Sequence, residues 1–277
     1  MADSYRIHTY TAAETGLLVN SYLIETADGV VLVDASLLLS DARALAARLA
    51  ALRKPLLGVF VTHAHPDHFN GLTVIADERV PVYAASDVAD AIAQTADAKR
   101  AQWQPVYGDE WPDRHRVPNM RLSTGDVVEL GGLRFTLHAV GPAESHADSY
   151  LVIGDRAFIG DLAFPGIHPY TADGHTGDWL AALDTLAAEL HDATLYPGHG
   201  APGGVGILAD QRRYLMMYRE AVGRLAGGAP ALTDARREQL TGVMTRFLPE
   251  APLTWMIGLG ADAVAAELAV PAGTVAA

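Results

Sequence analysis

The sequence predicts an α/β protein arranged as a helix–sheet–sheet–helix sandwich. Two observations lead there. Short β-rich apolar runs come in two groups, each followed by helical segments, and they never repeat as strict βαβ units, so a doubly wound parallel sheet fits poorly. The runs of His and Asp also sit where strands end, so one edge of such a sandwich can gather them.

In order, SYLIET (21–26) and VVLVDAS (30–36) read as strands joined at Ala27-Asp28-Gly29, a hairpin signal, with the second ending at Asp34. Ser40 then reads as the cap of a helix over 41–53, whose Ala44, Leu45, Leu49 and Leu52 form one stripe. Lys54-Pro55 ends it, and LLGVFVT (56–62) is a buried strand that runs directly into HAHPDH. A strand at 80–84, a helix over 86–103 and an irregular Trp/Pro-rich stretch over 103–119 follow. The second group comprises 126–130, 133–140, 149–154 and 156–161, with Gly131-Gly132 and Gly154-Asp155 as tight turns. A Gly/Pro/His-rich loop over 163–177 leads to a helix from Asp178 to Leu190, and the strand ATLYP (193–197) opens into Gly198-His199-Gly200. Helices at 208–226, 233–248 and 261–268 place a C-terminal helical cap over 208–277 on what reads as one domain, 1–277.

Composition narrows the chemistry. An apolar fraction of 50% over 277 residues supports a large buried core. There is no cysteine, so disulfides, thiolate nucleophiles and Cys-ligated metals are excluded, and any metal must rest on His and carboxylate. A formal charge of -13 argues against nucleic acid as partner and fits a small molecule. No segment reads as a signal peptide or membrane span, so the expected protein is soluble and cytoplasmic. Its oligomeric state is left open.

Thr62-His63-Ala64-His65-Pro66-Asp67-His68 is the strongest signal. In extended backbone, residues two apart face the same side, so His63 and His65 can present two imidazoles to one cation. Asp67 and His68 are adjacent, hence splayed, and can reach a second position. His146, Asp161 and His199 each follow a β-run and fit the same site. His8, His115, His138 and His191 show no such spacing and read as structural.

These residues resemble the metallo-β-lactamase superfamily over roughly residues 17–205. The family's HxHxDH hallmark is matched by His63, His65, Asp67 and His68, and its later His, Asp and His ligands by His146, Asp161 and His199. The resemblance implies the αββα sandwich and two cations, zinc first, with iron or manganese as alternatives. It puts one cation on His63, His65 and His146, and the other on Asp67, His68 and His199, with Asp161 bridging. It also implies a hydroxide between the ions as nucleophile, with Asp67 as the catalytic residue that orients it or shuttles its proton. Asp34 reads as structural support for the ligands. Two departures bear on substrate. The third motif is GPAESHADS in place of a GHTPG-type sequence, and Asp161 stands where antibiotic-hydrolysing members with a mixed site carry Cys. The implied activity is hydrolysis of a small ester, thioester or lactone. β-Lactam hydrolysis and an iron oxygenase of the persulfide-dioxygenase type are the alternatives. Phe69, His168, Tyr170 and His175 are the candidate substrate contacts, whereas Trp103 and Trp111 read as core or lid packing.

Overall fold

The computed structural model describes residues 5–269. In chain order the elements are β1 (Arg6–Thr11), β2 (Asn20–Glu25), β3 (Val30–Val33), α1 (Leu39–Ala51), β4 (Leu56–Phe60), α2 (Pro66–Phe69), α3 (Leu72–Ile75), β5 (Val82–Ala85), α4 (Ser86–Tyr107) and β6 (Met120–Leu122). They continue as β7 (Val127–Leu130), β8 (Leu133–Gly141), β9 (Asp148–Ile153), β10 (Arg156–Gly160), α5 (Thr176–Glu189), β11 (Thr194–Pro197), α6 (Gly206–Ala226), α7 (Asp234–Phe247), α8 (Trp255–Leu259) and α9 (Ala261–Ala269).

The strands form two sheets, β1-β2-β3-β4-β5-β6 and β11-β10-β9-β8-β7. The first is antiparallel through its opening hairpin and parallel from β3 onward, and the second is antiparallel except where β11 joins β10. Aromatic side chains fill the space between them. Phe60 of β4 stacks on Phe135 of β8 at 5.1 Å, and Tyr22 of β2 meets Phe158 of β10 edge-on at 5.3 Å. Such pairs add geometric specificity to the burial of large apolar surfaces. The outer face of the second sheet is covered by α5, where Trp179, Leu183 and Leu186 pack with Ala157 and Ile159. Helix α6 contributes Leu208 and Leu215 to that cluster and Tyr214, Tyr218 and Val222 to a second one shared with α7, α8 and α9. The C-terminal helices are therefore anchored to the sandwich through α6; positions 270–277 of the expected cap lie outside the described residues. Among the described residues, no helix is long and apolar enough to cross a membrane.

The structure departs from the sequence reading at element edges. β1 and β6 are additional strands, both at the start or end of the first sheet. β1 is mostly solvent-facing and β6 is three residues long, so neither carries a clear apolar alternation. Helix α1 starts at Leu39 with Leu38 at its N-cap, not Ser40. The Ser40 N–H is held instead by the Glu110 carboxylate at 2.8 Å. Helix α4 runs on through Pro105 to Tyr107, which carries Trp103 onto a helix.

Candidate metal centre

Strand β4 ends at Phe60, and the chain stays extended through Thr62 into His63 before Pro66 starts the single turn of α2. Extension puts His63 and His65 on one side, with ring centroids 4.9 Å apart. The turn of α2 then brings Asp67 and His68 back over them, with His68 4.1 Å from His63 between ring centroids. Asp161 follows β10 and His199 follows β11, so with β4 three strand ends meet at one edge. The two sheets are stitched together there. His63 bridges Asp148 across the sheets, Val19 bridges His199, and the Ser149 hydroxyl donates to the Thr62 carbonyl at 2.6 Å.

Two groups of potential ligand atoms result: His63, His65 and Glu144, and Asp67, His68, Asp161 and His199, all buried. In the first, Glu144 Oε2 lies 3.0 Å from His65 Nδ1 and 3.5 Å from His63 Nε2. In the second, His199 Nε2 lies 3.1 Å from Asp67 Oδ2 and 3.3 Å from Asp161 Oδ2, while His68 Nε2 lies 3.3 Å from Asp161 Oδ1. Asp161 also reaches toward the first group, 3.9 Å from His63 Nε2. The oxygen that faces His63 is Oδ2, the one that also faces His199, while Oδ1 faces His68.

Each imidazole is oriented by what its other nitrogen does. His68 Nδ1–H donates to Asp34 Oδ2 at 2.7 Å, and the same carboxylate accepts the Thr62 N–H and hydroxyl, both at 2.9 Å. His65 Nε2–H donates to Asp173 Oδ2 at 3.1 Å, and His199 Nδ1–H to the Leu17 carbonyl at 2.9 Å. These bonds fix which nitrogen of each ring faces the ligand groups, Nε2 of His68 and His199 and Nδ1 of His65, the atom whose lone pair a cation would take on displacing its proton. Leu17, which offers that carbonyl, ends the helical turn Glu14–Gly16 with a left-handed φ of 65°, a strained conformation for a non-glycine residue.

Charge and solvation fit a cation. His63 Nε2, His68 Nε2, Asp161 Oδ1 and both Glu144 oxygens are buried without a hydrogen-bond partner. Buried orphan acceptors are costly unless something electrophilic meets them. Gly198 keeps the space open, since a Cβ there would sit 2.0 Å from Asp161 Oδ1 and 2.8 Å from His68 Cε1. Burial holds the His63 imidazole well below its ordinary range, so it is neutral. Burial also opposes charging of His65 and His199, but the carboxylates of Glu144 and Asp173, and of Asp161 and Asp67, overcome it and push each up to about 10. Burial raises the Glu144 carboxyl to about 8. For Asp67 and Asp161 burial is outweighed by His68 and His199, and both stay ionised.

Six of the seven expected ligands thus come together, and His146 does not. The Asp148 carboxylate accepts the Ser145 N–H at 2.8 Å and closes a turn that faces Glu144 inward and His146 outward. The His146 side chain is 64% exposed and its Nδ1 lies 2.6 Å from His175 Nε2 at the rim. Glu144 occupies the place expected of His146.

The cleft above the ligands is lined by Leu17, Trp103, Tyr107, Trp111, Phe164 and Tyr170, among others. Of the four candidate substrate contacts, only Tyr170 borders it; its ring meets that of His65 at 4.9 Å and its hydroxyl donates to Asp173 Oδ1 at 3.2 Å. Phe69 is buried in the core, because the turn of α2 points it away from the ligands. His168 is buried against α6, where its Nδ1 meets the Tyr214 hydroxyl at 2.8 Å, and His175 is occupied with His146. Trp103 and Trp111, expected to pack, also form a wall of the cleft. The Trp255, Met256 and Leu259 side chains of α8 complete it, a contribution that nothing in the local sequence of α8 announces.

The family model described as Metallo-beta-lactamase superfamily matches residues 15–199, the segment that carries all these candidate ligands. The chain belongs to that superfamily. Its members are metal-dependent hydrolases. A metallo-beta-lactamase family protein from Thermus thermophilus shares the fold with a TM-score of 0.67 and 19% identity, covering 95% of this chain and 92% of that one. A beta-lactamase domain protein from Burkholderia ambifaria gives 0.65 and 19%, covering 97% and 86%. Among curated relatives, a ribonuclease J of Sinorhizobium meliloti is 27% identical over 168 residues, 60% of this chain and 25% of its own length. A hydroxyacylglutathione hydrolase of Synechococcus sp. is 30% identical over 150 residues, 53% of this chain and 50% of its own. The chain therefore spans a quarter and a half of the lengths of these two relatives.

Proposed function

We propose that the protein hydrolyses a small carboxylic ester, thioester or lactone with two divalent cations, zinc first among them. His63, His65 and Glu144 would hold one ion and Asp67, His68 and His199 the other, with Asp161 shared. The observation that carries this reading is the pair of buried ligand groups joined by Asp161, with its orphaned electron-pair donors. Bound there, such ions supply a Lewis acid for a carbonyl oxygen and an activated water at neutral pH. The chain's own residues do the rest. Asp67, ionised and at the floor of the cleft, accepts a proton from an attacking water and orients it. Tyr170, whose hydroxyl donates to Asp173 and whose ring lies against His65, helps hold the carboxylate that orients His65 at the edge of the first ligand group. The aromatic wall formed by Trp103, Tyr107 and Trp111 keeps bulk water away from that exchange.

The test is turnover by purified, metal-loaded protein across esters, thioesters and lactones, with the β-lactam nitrocefin beside them. Hydrolysis of a carbonyl compound that stops on chelation and returns with metal supports the reading; turnover of nitrocefin alone replaces it with β-lactam hydrolysis. A second reading has an observation of its own. His63, His65 and Glu144 form a two-His, one-carboxylate set, the ligand type of non-haem iron oxygenases. One iron per chain with oxygen uptake in place of hydrolysis decides for it.

A further inference from the structure

The cleft is notable for where its charge lies. Its floor holds three carboxylates, Asp67, Asp161 and Glu144, facing the positions of two divalent cations. Glu144, in the place expected of a neutral His146 ligand, adds one negative charge to that balance. Among the described residues, the walls of the cleft above the ligand groups carry one lysine or arginine side chain, Lys99. Lys99 is already engaged, with its Nζ 4.0 Å from Asp173 Oδ1 and 5.7 Å from the centre of the Tyr170 ring. A phosphodiester or a polycarboxylate entering the cleft would therefore find counter-charge at the floor, from the ions, and none free along the walls.

Apart from Lys99 and the tyrosine hydroxyls, the walls are apolar. Tyr107 stacks on Trp111 at 5.9 Å, and Trp111 is buried with Leu37 and Leu38, so this side is rigid. Across from it, α8 carries Trp255 and Leu259, which remain 47% and 39% exposed although they border the cleft. Val106, on the same helical turn as Trp103 and Tyr107, is 67% exposed. Large apolar side chains left open around a site mark a binding surface more often than chance.

Resting on the hydrolase reading, we propose that the substrate is an uncharged carbonyl compound with an extended apolar chain or ring, seated between Trp103, Trp111 and Trp255. The carbonyl end lies over the ligand groups and the apolar end runs toward the mouth. An anionic group carried toward the mouth is selected against by the apolar walls and by the engagement of Lys99, since the counter-charge of the ions is confined to the floor.

Equilibrium binding tests this apart from turnover. Uncharged 2-ketones from four to twelve carbons are titrated into metal-loaded protein and followed by tryptophan fluorescence, beside ketones of matched length ending in a carboxylate. Affinity should rise about three- to fourfold per methylene until the chain leaves the cleft, the gain expected for burying a CH₂, and the carboxylate should cost tenfold or more. Trp255→Ala should flatten the rise and Trp255→Phe should restore most of it, with metal content the same in both. A flat series, equal binding of the carboxylates, or a slope indifferent to Trp255→Ala would overturn the proposal. Esters of the same chain lengths are assayed on the same preparations. A rise in ketone affinity without ester hydrolysis upholds the cleft's preference and removes the hydrolase reading, whereas hydrolysis without chain-length dependence does the reverse.

Discussion

Glutamine at position 144 keeps the shape of the side chain while removing its charge, so Glu144→Gln isolates what the carboxylate contributes. Glu144 is fully buried, and its Oε2 lies within 3.5 Å of both His63 and His65, where no other carboxylate of the first group can replace it. Asp161, shared with the second group, comes no closer than 3.9 Å to His63. Structural zinc held by four protein ligands is bound with about 10–16 kcal/mol, or roughly 2.5–4 kcal/mol per ligand. Loss of one ligand of three should then weaken the first position by roughly 10²- to 10³-fold. Competition titration of metal-free protein with a chromophoric chelator reads this directly. Wild type should take up two ions tightly and Glu144→Gln one, with His146→Ala indistinguishable from wild type. Two tight ions in Glu144→Gln, or the loss of one in His146→Ala, would return the role to His146 and sink the geometric argument.

Because His65 and His199 are pushed up to about 10, both carry protons at neutral pH in metal-free protein, and a cation must displace them. Uptake at pH 7.5 should release at least two protons per chain, and apparent affinity should climb with pH until about 10; calorimetry in buffers of different ionisation heat counts the protons. Asp34→Ala removes the acceptor that aims His68 and should lower affinity at the second position roughly 10- to 100-fold while the first holds, measured by the same titration. Asp161→Ala should cut metal content from about two toward one per chain, with the second position suffering more, as elemental analysis of dialysed protein would show. Gly198→Ala places a methyl 2.0 Å from Asp161 Oδ1 and should cost both metal uptake and a thermal shift downward of several degrees, seen in a melt with and without added metal.

The core strands were legible because they are buried on both faces and read as continuous apolar runs, as in VVLV of β3. The edge strands β1 and β6 were not, since a strand that faces solvent leaves no apolar signature. The HAHPDH cluster announced itself because its ligands are close in sequence. The third member of the first group was harder. Glu144 and His146 stand two residues apart, and periodicity would put both on one side had the chain remained extended. The turn closed by Asp148 breaks that periodicity, and a histidine attracts attention where a glutamate passes for a surface acid. The partners that orient the ligands, Asp173 above all, and the α8 wall come from distant segments and become visible only when the fold assembles them.

The stitching of the two sheets at their ligand-bearing edge has a consequence for how this chain holds together. His199 lies 132 residues along the chain from Asp67, and the two side chains are 3.1 Å apart. A cation between them closes a loop of the length that a disulfide would close, in a sequence with no cysteine to make one. Cross-links over such loops remove conformational freedom from the unfolded chain, on the order of 4–5 kcal/mol in the chain-entropy account. The same ions that equip the cleft for chemistry would thus act as a removable clasp between its halves, one that comes undone with chelation and closes again when metal returns.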